Sequence, residues 1–295
     1  MSSTPPPVIT HRPTDLDDPV RLFHGTAVER HEWEALDERG RRRLVVRARA
    51  AALRRPAVVS HRSAGALWGL PELGRWDWRL HVVDPALAKT HVGPGIVRHT
   101  GRLIEDEVVC VGGTEVTALP RTVTDIVHTV PLVHAVLVLD HVLHHRAVEA
   151  DALERAFVAR SSGRGSRVAR TALALALADA ASETPGESIS RVTMRELGVP
   201  VPVLQQEFTT DAGRFRVDFW WPRHGVVGEF DGRVKYADRD ALWAEKRRED
   251  ALRRLPQVSG LARWGMREAT EPARLAPVLL AARLPLGRGW AERTR

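Results

Sequence analysis

The run Val226-Val227-Gly228-Glu229-Phe230-Asp231-Gly232 constrains this chain more than any other stretch. It reads as a buried strand that carries two carboxylates at its end. Successive strand side chains alternate faces, so Glu229 and Asp231 point the same way. A third acid, Asp218, falls on the preceding predicted strand, with ten residues between it and Glu229. Carboxylates gathered on an apolar strand repel one another and are costly to bury. A divalent cation is the simplest partner that makes the arrangement favourable, which marks Asp218, Glu229 and Asp231 as metal-ligand candidates. Without a cation, removing Glu229 is expected to relieve repulsion and leave stability unchanged or higher.

Composition sets the outer bounds. The 295 residues leave room for two domains, and a hydrophobic content of 43% supports a real core. Cys110 is the single cysteine, which excludes a disulfide framework and a cysteine-based zinc site. No run of 18 apolar residues occurs, and Met1 to Pro7 lacks the order of a signal peptide, so a cytoplasmic location is expected. The formal charge of +7 and pI near 10.7 favour a polyanionic partner, nucleic acid first. A general bias toward arginine produces the same charge, so charge alone does not decide.

Along the chain, residues 1–20 read as a disordered, Pro-rich tail. Residues 21–160 read as a mixed α/β domain, 161–181 as a linker with a connecting helix, and 182–295 as a second α/β domain. In the first domain a very basic helix is predicted over 32–54, then a short strand at 57–59. A helix capped by Ser60 and stopped by Gly69 follows. Strands are predicted near 78–83, 95–99, 107–111 and 114–116, with helices over 121–130 and 132–145. An Ala/Leu helix is predicted over 171–181. In the second domain Thr184-Pro185-Gly186-Glu187 opens a helix that Gly198 ends. Strands over 203–209, 215–219 and 226–231, a long helix over 238–255, a strand over 258–264 and a helix over 272–283 complete the order α-β-β-β-α-β-α.

That order and those acids resemble the PD-(D/E)XK nuclease superfamily, in the branch similar to the very-short-patch-repair endonuclease, over about Ser182 to Arg283. The resemblance implies a restriction-endonuclease-like core with a mixed sheet and magnesium-dependent hydrolysis of DNA. It assigns Glu187 as the helix acid, Asp218 as the acid of the second strand and Glu229 as that of the third. Asp231 stands where the motif name has lysine, and Glu229-Phe230-Asp231-Gly232 looks like the acid-x-Asp-Gly variant of that branch. Lys235 or Lys246 then supplies the catalytic ammonium. Arg233, Lys235, Arg239, Arg247 and Arg248 flank the acids and are the expected contacts to the DNA backbone. Glu187 also sits where a capping box takes a Glu. Leu242, Glu245, Glu249 and Leu252 share one helical face, which points to a polar site beneath it or to exposed ion pairs.

The first domain resembles AbiEi-type antitoxins of type IV toxin–antitoxin systems in two blocks: Val58-Val59-Ser60-His61-Arg62-Ser63-Ala64-Gly65-Ala66-Leu67-Trp68-Gly69-Leu70-Pro71, and Val116-Thr117-Ala118-Leu119-Pro120-Arg121-Thr122-Val123-Thr124-Asp125. This implies a cognate toxin as a partner. The winged helix that precedes this region in many such proteins looks eroded or missing here. Arg121 and Asp125 read as a structural ion pair. His141, His144 and His145, with His134 nearby, read as an exposed polar helix face rather than a metal site. The alternative to an enzyme is a non-catalytic DNA-binding regulator or antitoxin that keeps the nuclease fold as a scaffold.

Overall fold

Short β-branched runs punctuated by turns, alternating with amphipathic helical stretches, produce a mixed α/β protein. The computed structural model describes residues 16–160, 166–232 and 239–293. The chain divides into two units. The first takes the chain up to Val130 and the segment from Val148; the second takes Pro131–Ala147 and the remainder from Gly165. The units are therefore interleaved in sequence.

In the first unit β1 (Pro19–Phe23) and β2 (Thr26–Glu29) form an antiparallel hairpin. Pro19 and Val20 thus belong to a strand, not to the expected tail. Glu29 anchors that end by accepting the Asp17 and Asp18 N–H groups at 2.9 and 3.2 Å. The basic helix expected over 32–54 is two helices, α1 (Arg30–Ala35) and α2 (Glu38–Ala51). Leu36 is extended, and Asp37 caps α2 by accepting the Gly40 N–H at 2.7 Å, a local bond that competes with helix continuation.

Next come β3 (Val58–Val59), α3 (His61–Trp68), β4 (Leu80–Val83), β5 (His91–Gly93), β6 (Ile96–His99), β7 (Val108–Val111), β8 (Thr114–Thr117) and α4 (Leu119–Thr129). Their sheet runs β5-β6-β4-β3-β8-β7, with parallel β4/β6 and β3/β8 pairs. Val46, Val59, Leu67, Trp76, Leu80 and Val116 form a buried cluster in this unit. Arg121 pairs with Asp125 at 2.9 Å and with Glu107 at 2.8 Å, so it is structural.

Ser60 occupies the cap position of α3 but makes no capping bond; its hydroxyl lies 2.9 Å from His61 Nδ1. His61 belongs to a seam of imidazoles. Its ring stacks on His99 with centroids 3.6 Å apart, and His81 Nδ1 lies 3.0 Å from His99 Nε2.

The second unit begins with α5 (Leu132–His144), and the first is completed by α6 (Ala150–Arg160). Helix α7 spans Ser166–Leu177, earlier than the expected 171–181. The Asp179 carboxylate accepts the Ala181 N–H at 2.9 Å, and Asp140 accepts the Asp179 N–H at 2.8 Å, which draws the chain out of the helix. Then follow α8 (Pro185–Leu197), β9 (Val203–Thr210), β10 (Gly213–Trp221), β11 (Val226–Phe230), α9 (Arg239–Arg253), β12 (Gly260–Trp264), α10 (Met266–Thr270), α11 (Pro272–Ala281) and α12 (Arg288–Arg293). Up to α11 the helix–strand order is the expected one, with the short helix α10 added between β12 and the closing helix.

The sheet of this unit is mixed, in the order β12-β11-β10-β9, with β11 and β12 parallel and the other pairs antiparallel. Val227, Trp220 and Phe208 pack with Leu252 of α9. Phe230 points to the opposite face and lies against Gly186 at the start of α8. A Cβ at 186 would stand 2.0 Å from the Phe230 ring, so only glycine lets the helix end approach this strand.

Candidate functional site

The register of the sheet assembles a polar row. Phe219 pairs with Gly228 across β10 and β11, which sets Asp218 beside Glu229 on one face. Glu229 in turn pairs with Arg263 across β11 and β12. Asp231 continues the face of Glu229 one step beyond the strand, held by its N–H bond to the Trp264 carbonyl at 2.8 Å. Together with Phe230, Glu245 and Arg248, these side chains line a cleft of about 200 Å³. The cleft has four carboxylates (Asp218, Glu229, Asp231, Glu245) and two guanidiniums (Arg248, Arg263). With all of them ionised, two negative charges remain.

Glu229 is 8% exposed and accepts from both guanidiniums: Arg248 at 2.5 Å on Oε1 and Arg263 at 2.8 Å on Oε2. Burial pushes its carboxyl pKa up, but the two arginines together outweigh that and hold it below the usual range. Glu245 ties the same cations from above, at 2.6 Å from Arg263 and 3.3 Å from Arg248. Arg248 also donates to the Arg216 carbonyl at 2.9 Å.

Asp218 is treated differently by the fold. Its Oδ2 accepts the Phe230 N–H at 2.8 Å, and among the described residues no cation forms a salt bridge with it. Burial raises its pKa to about 6; the Phe230 N–H and Arg248 oppose that rise, while Glu187 and Glu229 add to it. Asp218 is therefore a carboxylate in need of positive charge, directly beside one that is already neutralised.

Glu187, the expected helix acid, does not line this cleft. It is buried and accepts the Thr184 hydroxyl at 2.7 Å, the Glu183 N–H at 3.0 Å and the Gln205 amide at 2.9 Å. That is the capping role its position allowed, and its charge still reaches Asp218. Lys246 is exposed on α9, with Nζ 5.6 Å from the Trp243 ring centroid, and does not line the cleft. Arg247 is exposed. Arg248, expected on the DNA backbone, is turned inward onto Glu229. Arg239 begins α9, and Arg233 and Lys235 lie outside the described residues.

Two cleft residues had no assigned role in the sequence reading. Glu245 belongs to the charged stripe on α9, which does cover a polar site. Arg263 is the one charged residue in Gly260-Leu261-Ala262-Arg263-Trp264, and that placement was the available signal.

Magnesium fits this donor set to a limited extent. Among the described residues no three His, Cys, Asp or Glu side chains are gathered as a metal-holding group. Mg²⁺ takes one or two carboxylates and keeps several waters, so the Asp218–Glu229 pair, with Asp231 at the mouth, matches its demand. Glu229 must then exchange guanidinium contacts for the cation. The histidine cluster of α5 is not the exposed face expected: His134 is buried, His141 and His144 are half-buried and His145 alone is exposed, with His144 meeting the Ala180 carbonyl at 3.0 Å and His145 the His141 carbonyl at 2.9 Å.

Comparison with known proteins adds no function. No family model matches the chain, and no solved structure matches it. It is similar to two curated Mycobacterium tuberculosis proteins, the uncharacterized proteins MT2308 (strain CDC 1551 / Oshkosh) and Rv2248 (strain ATCC 25618 / H37Rv). Each is 28% identical over 201 residues, which is 68% of this chain and 71% of the relative. Among the described residues no helix is long and apolar enough to cross a membrane.

Proposed function

We propose that the second unit is a magnesium-dependent nuclease that hydrolyses phosphodiester bonds of DNA in the cytoplasm. The observation that carries this reading is the pairing of Asp218, unneutralised and with its pKa raised to about 6, with Glu229 on one face of the sheet at an acidic cleft. In this reading Asp218 and Glu229 hold the cation and Asp231 supports it at the mouth. When bound, magnesium polarises the scissile phosphoryl group and lowers the pKa of a coordinated water.

The chain's own residues do the rest. Glu187 fixes the start of α8, and the Phe230 N–H orients the Asp218 carboxylate. Arg248 and Arg263, once released from Glu229, are cations placed for the charge that develops on the phosphoryl oxygens. Of the two lysines expected to supply the further ammonium, Lys246 lies outside the cleft, which leaves Lys235, and Arg233, Arg239 and Arg247 hold the DNA backbone.

A second reading has its own support. Both Glu229 oxygens are already bound by arginines, and Asp231 replaces the motif lysine. That favours a non-catalytic DNA-binding regulator or antitoxin of a type IV toxin–antitoxin system, with a cognate toxin as partner and the nuclease fold as scaffold.

One paired experiment separates the two. Purified wild type and Glu229→Ala are melted with and without magnesium, and both are assayed on supercoiled and single-stranded DNA. The nuclease reading expects magnesium to raise the wild-type Tm and to drive nicking that Glu229→Ala lacks. No magnesium stabilisation and no cleavage of any DNA form replaces it with the scaffold reading.

A further inference from the structure

Apart from Arg39 and Arg43, which are exposed on α2, the arginines of that helix and of the turn that follows it fall into two groups. Arg41, Arg42 and Arg49 are committed to the fold. Arg41 donates to the Trp33 carbonyl at 3.0 Å and covers the Trp33 ring, Arg42 pairs with Glu38, and Arg49 packs 4.6 Å from the Phe23 ring centroid. Arg47, Arg54 and Arg55 have no such role. Among the described residues none of the three makes an ion pair or hydrogen bond, and Arg47 Nε is buried without a partner.

These three unpaired cations line one pocket of about 380 Å³, wholly within the first unit. Its walls are the end of α2, the segment Leu53–Ala57 and the β7–β8 turn at Gly113-Thr114-Glu115, with Glu115 as its single acid. The turn is built around Arg47. Gly112 has φ +55°, and a Cβ there would lie 2.3 Å from Arg47 Nη2, so the glycine makes room for the guanidinium. A half-buried guanidinium with an orphaned N–H, beside two exposed ones, is the donor set that recognises phosphate oxygens.

We infer that this pocket is a phosphate-binding site in the first unit, taking either a backbone phosphate of a nucleic acid or the phosphate of a free nucleotide or inorganic phosphate. The pocket draws on no residue of the second unit and is independent of whether that unit cleaves DNA.

The test uses the full chain in EDTA. Fluorescence anisotropy measures binding of a short labelled DNA duplex to wild type, to Arg54→Ala/Arg55→Ala, to Gly112→Ala and to the control Arg39→Ala/Arg43→Ala. The control removes the same charge from exposed positions of α2 outside the pocket. Thermal melts with added inorganic phosphate or adenosine monophosphate run in parallel and confirm that each variant is folded.

If the ligand is nucleic acid, the Arg54→Ala/Arg55→Ala variant binds DNA about tenfold more weakly than the control and its log K against log salt slope is shallower by about 2. Gly112→Ala, which displaces Arg47 without removing charge, weakens binding in the same direction. If the source is a free phosphate, phosphate or the mononucleotide raises the Tm of wild type and of the control but not of the pocket variant. Equal DNA binding by pocket and control variants, together with no phosphate-dependent Tm shift, overturns the proposal.

Discussion

Arg263 stands directly across the parallel β11–β12 register from Glu229 and donates to its Oε2 at 2.8 Å. With Arg248 on the other oxygen, Glu229 shares with Glu245 the task of holding two guanidiniums side by side in the cleft. This reverses the expectation that removing Glu229 relieves repulsion. Glu229→Ala leaves two part-buried cations with only Glu245 bridging them, and stability without magnesium should fall by about 1–3 kcal/mol. Urea titration of the variant checks this. Adding Arg263→Ala to Glu229→Ala should recover part of the loss, and a strictly additive double mutant would show that the pair is not coupled.

The same row shows what sequence can and cannot reveal. Helix α8 was readable because its signals are local: Thr184 caps, Pro185 starts, and Gly198 ends it with φ +69°. Strands β10 and β11 were readable from alternation and a bounded apolar run, and their adjacency put Asp218 beside Glu229. Arg263 was not, because its contact depends on the register of a strand returned by the α9 crossover. The break at Asp37 was missed because the basic periodicity runs through it, although an Asp in cap position was present. The seam of His61, His81 and His99 draws one residue each from α3, β4 and β6, and no local pattern predicts that convergence.

Asp218 gives the second unit a pH signature. Its folded pKa of about 6 lies above the ordinary aspartate value, chiefly through burial. The native state therefore binds the extra proton between about pH 4 and 6, and stability contributed by the protonated acid is lost as pH rises through 6. Asp218→Asn should remove this slope and make the metal-free protein relatively more stable than wild type above pH 6. Asp125, also raised to about 6 by burial, contributes the same sign, so the difference between wild type and variant is the quantity to measure. Identical pH profiles for the two proteins would rule out a titrating Asp218.

The histidine seam predicts the opposite sign in the first unit. Burial, and then its histidine neighbours, lower His61 well below its usual value; burial and His81 lower His99 to about 4. The unfolded state then binds more protons between about pH 4 and 6.5. Stability is full above 6.5 and is lost as pH falls toward 4. His99→Phe, which keeps a ring to stack on His61, should flatten this acid-side loss. Denaturation followed at pH 5 and pH 7.5 measures it, and an unchanged difference between the two pH values counts against the seam as its source.

Gly186 tests the packing that presents the acidic strand end. The Phe230 ring occupies the space a Cβ at 186 would need, with Cε1, Cζ and Cδ1 at 2.0, 2.1 and 2.5 Å. Phe230 also lends its N–H to Asp218, so a ring pushed aside carries strain to the cleft. Gly186→Ala should lower stability by about 1–3 kcal/mol, the usual cost of overpacking. The loss should shrink when Phe230→Leu is added, since the smaller side chain vacates part of the contested volume. Because Asp218 is held by the backbone of residue 230 and not by its ring, the double variant should keep the pH dependence assigned to Asp218. Thermal melts of the two single variants and the double variant, repeated at pH 5 and pH 7.5, read both effects. A Gly186→Ala protein as stable as wild type would mean that helix α8 does not approach β11 this closely.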